Sequence, residues 1–373
     1  MATTHRNDGE VVKRILELRE APATHAVIDR RQFLSTVVGV AATLGLAACA
    51  RPVQLAGLAL AKEAPLPGAV PGGTELTIAG PDRQLQLQLA GLADTLPFKV
   101  SQWPNVTTGP DVINAFRARS LDVASNAGIP PIQAYSQGDL DARIVAVRLT
   151  RKPAYVFVTK PRSDVQTVAD FRGKQVAFSQ GQAQGVVLLR ALKLAGLQRT
   201  EVTLVELNSA QFLTALQAGQ VDVAPLSITV ATQYLGQYAR DGARQITTNV
   251  VDLLNILWSP DAVLADPTKA AAIAAYVPIW AQGLVWAHEH PDAWIREWYV
   301  SNQGVSEAQA KEIIAATSPP LFPPNWDEAI AWEQETVDLL AEEGFVASFD
   351  AEALFDRRFE SLAANAVAAR YRS

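Results

Sequence analysis

Displaced by 100 positions, the chain lies over itself. NAFRARSLDVASNAGIPP, residues 114–131, falls in register with TALQAGQVDVAPLSITVA, residues 214–231. Ala115 meets Ala215, Ala118 meets Ala218, and Asp122-Val123-Ala124 meets Asp222-Val223-Ala224. The preceding elements correspond too. GPDVINAF and SAQFLTAL carry apolar residues at helical spacing, LPFKVSQW and VTLVEL read as strands, and ELTIAG and KQVAFSQG read as strands that stop at a glycine. Each copy is therefore a strand followed by a helix, three times over. Strands alternating with helices predict parallel-type sheets covered on both faces, hence an α/β fold in two lobes. The alternative is one larger doubly wound sheet. With 373 residues, the chain is long enough for two such cores.

This order places a binding site. In open parallel sheets, ligands sit outside the carboxyl ends of the strands, where helix N-termini offer free N–H groups and the positive end of a dipole. The loops at those ends are 80–83, 103–109, 125–131, 179–185, 208–209 and 227–229, all rich in small polar residues. Candidate ligand contacts are Gly80, Asp82 and Arg83 after the first strand, and Trp103, whose ring would stack on a ligand or pack at the rim. Ser125, Asn126 and Gly128 follow, then Ser179, Gln180, Gly181 and Gln182, and finally Ser227. Neutral donors of this kind hold oxyanions without a formal counter-charge. Arg83 adds charge if it turns inward, as does Arg148 on the hinge side. Asp122 and Asp222 precede strands at their amino ends, so they read as turn or cap residues rather than a paired acid and base.

The rival class is an enzyme, and its motifs are missing. His288-Glu289-His290 sits at a helix end before a proline, and residues two apart on a regular helix face different ways. No HExxH, GxSxG or CxxC occurs, and GQAQG at 181–185 lacks the Gly-Lys-Ser/Thr ending of a phosphate loop. We expect no catalytic residue, no metal and no cofactor. A net charge of −6 without a basic run in the body argues against nucleic acid. A single cysteine permits neither an intramolecular disulfide nor a Cys-rich metal site.

That cysteine, Cys49, ends DRRQFLSTVVGVAATLGLAAC. An arginine pair, an uncharged core and small residues before the thiol resemble a twin-arginine export signal with a lipobox. The expectation is a signal over 1–48, lipidation at Cys49 and an Ala-, Pro- and Gly-rich tether over 49–73. No further apolar stretch of the body reads as long enough to span a membrane. The product would be a monomer in the periplasm or on the outer face of the cytoplasmic membrane.

The body resembles the solute-binding proteins of bacterial ABC importers, in the aliphatic sulfonate, taurine and nitrate group. The resemblance rests on LTIAG, the ALxAGxxDVA phrase at 215–224 with its twin at 115–124, GIPPIQAYSQG, VADFRGKQVAFSQGQAQGVVLLRALKLAGL and WAHEHPDAWIREWYVSNQGVS. It runs from about residue 74 to about 345 and implies the two-lobe type II periplasmic binding fold. Lobe 1 would be 74–155 with 256–373, lobe 2 would be 156–255, and the hinge crossings would lie near 154–160 and 255–260. It also implies a small organic anion as ligand and an ABC permease with its ATPase as partners. Two departures narrow the ligand. Many relatives carry an acid where Ala127-Gly128 stands, and WDP where Ser227-Ile228-Thr229 stands. Without that acid, an amine such as that of taurine loses its partner, which favours an alkyl- or arylsulfonate. Nitrate-type and pyrimidine or thiamine-precursor carriers remain alternatives, as does a periplasmic sensor or enzyme domain.

Overall fold

The computed structural model describes residues 60–61 and 64–372. The expected export signal and Cys49 lie outside the described residues.

The repeat is realised element by element. The first copy runs β1 (Glu75–Thr77), α1 (Pro81–Leu89), β2 (Lys99–Gln102), α2 (Gly109–Arg117), β3 (Ala124–Ala127), α3 (Ile129–Gln137). After β4 (Ala142–Leu149) and β5 (Tyr155–Thr159), the second runs β6 (Gln175–Phe178), α4 (Ala183–Leu194), β7 (Thr203–Glu206), α5 (Phe212–Gln217), β8 (Val223–Ser227), α6 (Ile228–Tyr238). Then come β9 (Gln245–Ile246) and β10 (Leu254–Pro260). Proline near the starts of α1, α2 and α3 removes an N–H that a first turn leaves unpaired anyway.

The two sheets share one strand order. In the second, the order is β7-β6-β8-β5-β9. In the first, β2 pairs β1, a parallel bridge from Ile78 to Val123 joins β1 to the start of β3, and the order continues β3-β10-β4. Expected parallel-type sheets are in fact mixed. β6 pairs β7 and β8 in parallel, but β5 pairs β8 antiparallel, and β10 pairs both β3 and β4 antiparallel. The reason is connectivity. β5 and β10 are the strands by which the chain enters one sheet from the other, so each runs against the βαβ units it joins.

Helices after β10 touch both sheets' surroundings. α7 (Pro267–Glu289) packs on α1, where the missing side chain of Gly283 admits Leu87. α8 (Glu307–Ala316) packs on α6, with Gln309 Nε2 donating to Thr232 O. α9 (Asp327–Glu342) packs on α4, where the Arg190 guanidinium lies 3.9 Å over the Trp332 ring. By length and composition α7 would cross a membrane, contrary to the reading of the body as free of such a stretch. Ala272, Ile273, Val277, Trp280 and Ala281 are nonetheless buried inside the body, so its apolar character serves the core.

Candidate ligand-binding site

Helix starts converge between the two sheets. Thr108 and Gly109 begin α2, Gln182 and Ala183 begin α4, Ser209 and Ala210 precede α5, and Ser227 begins α6. All of these line one cavity of about 490 Å³. Ser125, Asn126, Tyr155 and Asn255 line it as well, and Leu213, Pro225, Leu226 and Val230 form an apolar wall. Among the described residues, no Asp, Glu, Lys, Arg or His lines it. Unpaired N–H groups and helix dipoles therefore set its polarity, and both favour an anion. Tyr155 is the one titratable lining group; burial, and then Asp252, push its hydroxyl above the usual tyrosine range, so it stays a neutral donor.

The expected contacts divide into three sets. Ser125, Asn126, Gln182 and Ser227 line the main cavity, and Gly80, Asp82 and Arg83 line a smaller compartment beside it. Their side chains are not equally free. Asn126 Nδ2 donates to Thr107 O, and Asn126 Oδ1 accepts from Trp258 Nε1 at 2.9 Å, so its amide braces the wall. Gln182 Oε1 accepts from Ser179 Oγ and from the Ser209 N–H. Ser227 Oγ caps α6. Ser125 Oγ, like Asn255 Oδ1, is buried and has no partner among the described residues, so both are open to a ligand.

Five expected contacts line neither compartment. Trp103 packs its ring on the core. Ser179 is buried behind Gln182, with its hydroxyl committed there. Gln180 and Gly181 face the opposite lobe instead: Gln133 Nε2 donates to Gln180 O, Gln180 Nε2 donates to Phe345 O, and Gly181 O stands where a side chain on Gly109 would reach it. They form the seam between lobes rather than the cavity wall. Gly128 faces Glu333, whose carboxyl comes from α9 and occupies the space a Cβ would need. An acid at 128 would therefore meet a buried acid, and the glycine reflects this helix as much as the ligand.

Tyr155 and Asn255 escaped the sequence reading because they sit on the crossing strands, which were treated as hinges. The available signal was Asn255 itself, a lone polar residue within LLNILW. Glu289 of the His-Glu-His triplet pairs with Arg370 and accepts from Tyr371 Oη, and the described residues hold no group of three or more potential metal ligands.

Residues 111–293, which carry the α4, α5 and α6 starts, match the family described as NMT1/THI5 like. The chain is 37% identical over 120 residues to the putative aliphatic sulfonates-binding protein of Escherichia coli (strain K12). That match covers 32% of this chain and only 37% of the curated relative's length. Solved structures extend the likeness to the whole body. The alkanesulfonate-binding protein SsuA from Xanthomonas axonopodis pv. citri, bound to MOPS, superposes with a TM-score of 0.65 at 21% identity, covering 82% of this chain and 100% of that one. The periplasmic aliphatic sulphonate binding protein SsuA from Escherichia coli gives 0.62 at 23%, covering 75% and 91%. The desulfurization enzyme DSZB gives 0.53 at 15%, covering 78% and 98%. The chain thus has the two-lobe type II periplasmic binding fold, a scaffold that carries both binders and an enzyme.

Proposed function

We propose that this chain is the extracytoplasmic solute-binding component of an ABC importer. It captures a small organic anion, an alkyl- or arylsulfonate, between its lobes and hands it to a permease. The observation that carries the reading is the main cavity: several helix N-termini face it, one wall is apolar, and no charged side chain lines it. A sulfonate fits that chemistry, its oxygens on N–H groups and its carbon body on Leu213, Pro225 and Val230. The sulfonate-binding names of the relatives support the same class.

Export through the arginine-pair signal, lipid attachment at Cys49, the tether over 49–73 and a monomeric state belong to this proposal, as do lobes over 74–155 with 256–373 and over 156–255. A carrier returns its ligand unchanged. An enzyme on this scaffold would need an activated nucleophile, and among the described residues that line the main cavity the serine and threonine hydroxyls have no histidine or carboxylate beside them to act as base, and there is no cysteine.

The test is the shift in unfolding temperature of the purified protein with an alkanesulfonate, taurine and nitrate, together with mass spectrometry of any ligand that co-purifies. Stabilisation by the alkanesulfonate alone is expected. Equal shifts with all three, or none, would overturn the sulfonate reading, and turnover of the ligand would overturn the carrier reading.

A further inference from the structure

A second compartment of about 400 Å³ lies beside the main cavity, and Thr107, Ser125 and Asn255 line both. Its chemistry is different. Ser125, Asn255 and Arg148 stand on one face of three neighbouring strands: Asn255 of β10 pairs with Arg148 of β4 and Ala127 of β3, and Leu257 pairs with Ser125. Arg83, in the first turn of α1, lines the same compartment. Seven buried side-chain polar atoms lack a hydrogen-bond partner among the described residues; Arg83 Nε, Ser125 Oγ and Asn255 Oδ1 belong to residues that line this compartment, and Arg148 Nε belongs to the strand partner of Asn255, close enough to Arg83 to feel its charge.

The two guanidiniums are unequally matched. Arg83 reaches Gln86 Oε1 at 2.8 Å and Asp82 at 3.2 Å. The Arg148 side chain has no hydrogen bond or ion pair with any described residue, and its Nε is buried. Burial, and then repulsion from Arg83, push its pKa down to about 10, which still leaves it charged at neutral pH. A half-buried cation facing a second cation is costly unless an anion completes it. Tyr299, on a π-helical segment over Ile295–Val300, feels both arginines but is itself held neutral, because burial raises its pKa.

We propose that this compartment is a second anion subsite built on Arg83 and Arg148, so that the ligand is a small dianion: a sulfonate joined by a short carbon chain to a further acidic group, a carboxylate. The inference rests on the sulfonate reading above and deepens it. A simple alkanesulfonate satisfies one compartment and leaves the other facing a hydrocarbon or water. A sulfocarboxylate satisfies both. Its sulfonate meets the neutral donors of the main cavity, and its carboxylate meets the guanidiniums and the Ser125 hydroxyl. Asn255 Oδ1 is the one pure acceptor of the four orphans and takes a ligand hydroxyl or a water.

Calorimetric titration of the purified full chain with sulfoacetate, ethanesulfonate and succinate tests this. Sulfoacetate is expected to bind about tenfold or more tighter than ethanesulfonate, the size of a charge-assisted contact. Arg148→Gln should abolish that preference while changing ethanesulfonate affinity by less than about threefold. Equal affinities for the two sulfonates in the native protein overturn the subsite whether or not the variant folds. A preference that survives Arg148→Gln does so too. Binding of succinate alone overturns the sulfonate reading but keeps the subsite. Binding of none of the three overturns both.

Discussion

Asp122 and Asp222 occupy the same place in two different sheets. Asp122 Oδ2 accepts from the Thr77 N–H of β1 at 2.8 Å, and Asp222 Oδ2 accepts from the Gln175 N–H of β6 at 2.8 Å. Each also pairs with a lysine at 2.6 Å, Lys269 for Asp122 and Lys160 for Asp222. Each ties the third strand of its repeat to the first at the end away from the ligand. For Asp222, burial works against the charge, but Lys160 and the Gln175 N–H outweigh it and hold the carboxyl below its usual range. Asp122→Ala and Asp222→Ala should each destabilise by about 1.5–3 kcal/mol, the range for hydrogen bonds to charged groups. Sharing no partner, they should add. Urea unfolding of both single variants and the double variant measures this; a loss confined to one aspartate would contradict the equivalence.

The repeat also exposes a local strain. Gly219 and Arg119 stand at matching positions, and both have left-handed backbone, φ 72° and φ 55°. Glycine takes that conformation freely; arginine does so at a cost of about 1–2 kcal/mol. Glycine's greater freedom in the unfolded chain gives part of this back. Arg119→Gly should therefore raise stability by about 0.5 kcal/mol, read as a higher urea midpoint with unchanged slope.

The seam between the lobes is packed around a glycine. A Cβ at Gly109 would stand 2.6 Å from Pro130 Cγ and 2.8 Å from Gly181 O across the seam. Gly109→Ala should hold the lobes apart and weaken the binding of the sulfonate ligand about tenfold, in line with overpacking costs. Small-angle X-ray scattering should show less compaction on adding ligand. Unchanged compaction and affinity would mean the seam tolerates the methyl.

A buried acid pair lies near the crossing between lobes. Burial, with Asp252 next and Arg190 opposing, pushes the Glu333 carboxyl up to about 8; burial against Arg190 pushes Asp252 up to about 7. Both exceed the ordinary unfolded values near 4. The folded protein therefore holds protons that the unfolded chain has released. The resulting stability is complete below the unfolded values and is lost as pH rises through 7 to 8. Between pH 6 and 8.5 the unfolding free energy should fall, with a slope of at most about 1.4 kcal/mol per pH unit for each proton held. Glu333→Gln, neutral at every pH, should flatten that slope. A slope unchanged in the variant would assign it to other groups.

Much of the architecture was legible because the repeat is a local pattern. Alternating strand and helix signatures mark β1 to α3 and β6 to α6, and proline or small polar residues mark the helix starts that line the cavity. The main-cavity loops 107–109, 125–127, 182–184 and 227 all fall within the segments read from the sequence. The direction of β5 and β10 was not legible, because strand direction depends on which sheet the chain has just left. Individual side chains were not legible either. Ser125 and Asn126 are neighbours of the same polar type, yet alternation along β3 leaves Ser125 free and spends Asn126 on Trp258.

What the sequence determined alone is the repeat, and with it two α/β lobes whose helix starts collect small polar residues. Those features follow from side-chain periodicity and helix-terminus chemistry, which act over a few residues at a time. Tertiary structure decided which of these groups meet. It brought Arg148 and Asn255, 107 positions apart, into one strand pair. It also set Glu333 against Gly128 from a helix more than 200 residues away. The physical reason is that the identity of a ligand is set by charges and donors converging in space, and convergence depends on packing between elements that sequence patterns describe only one by one.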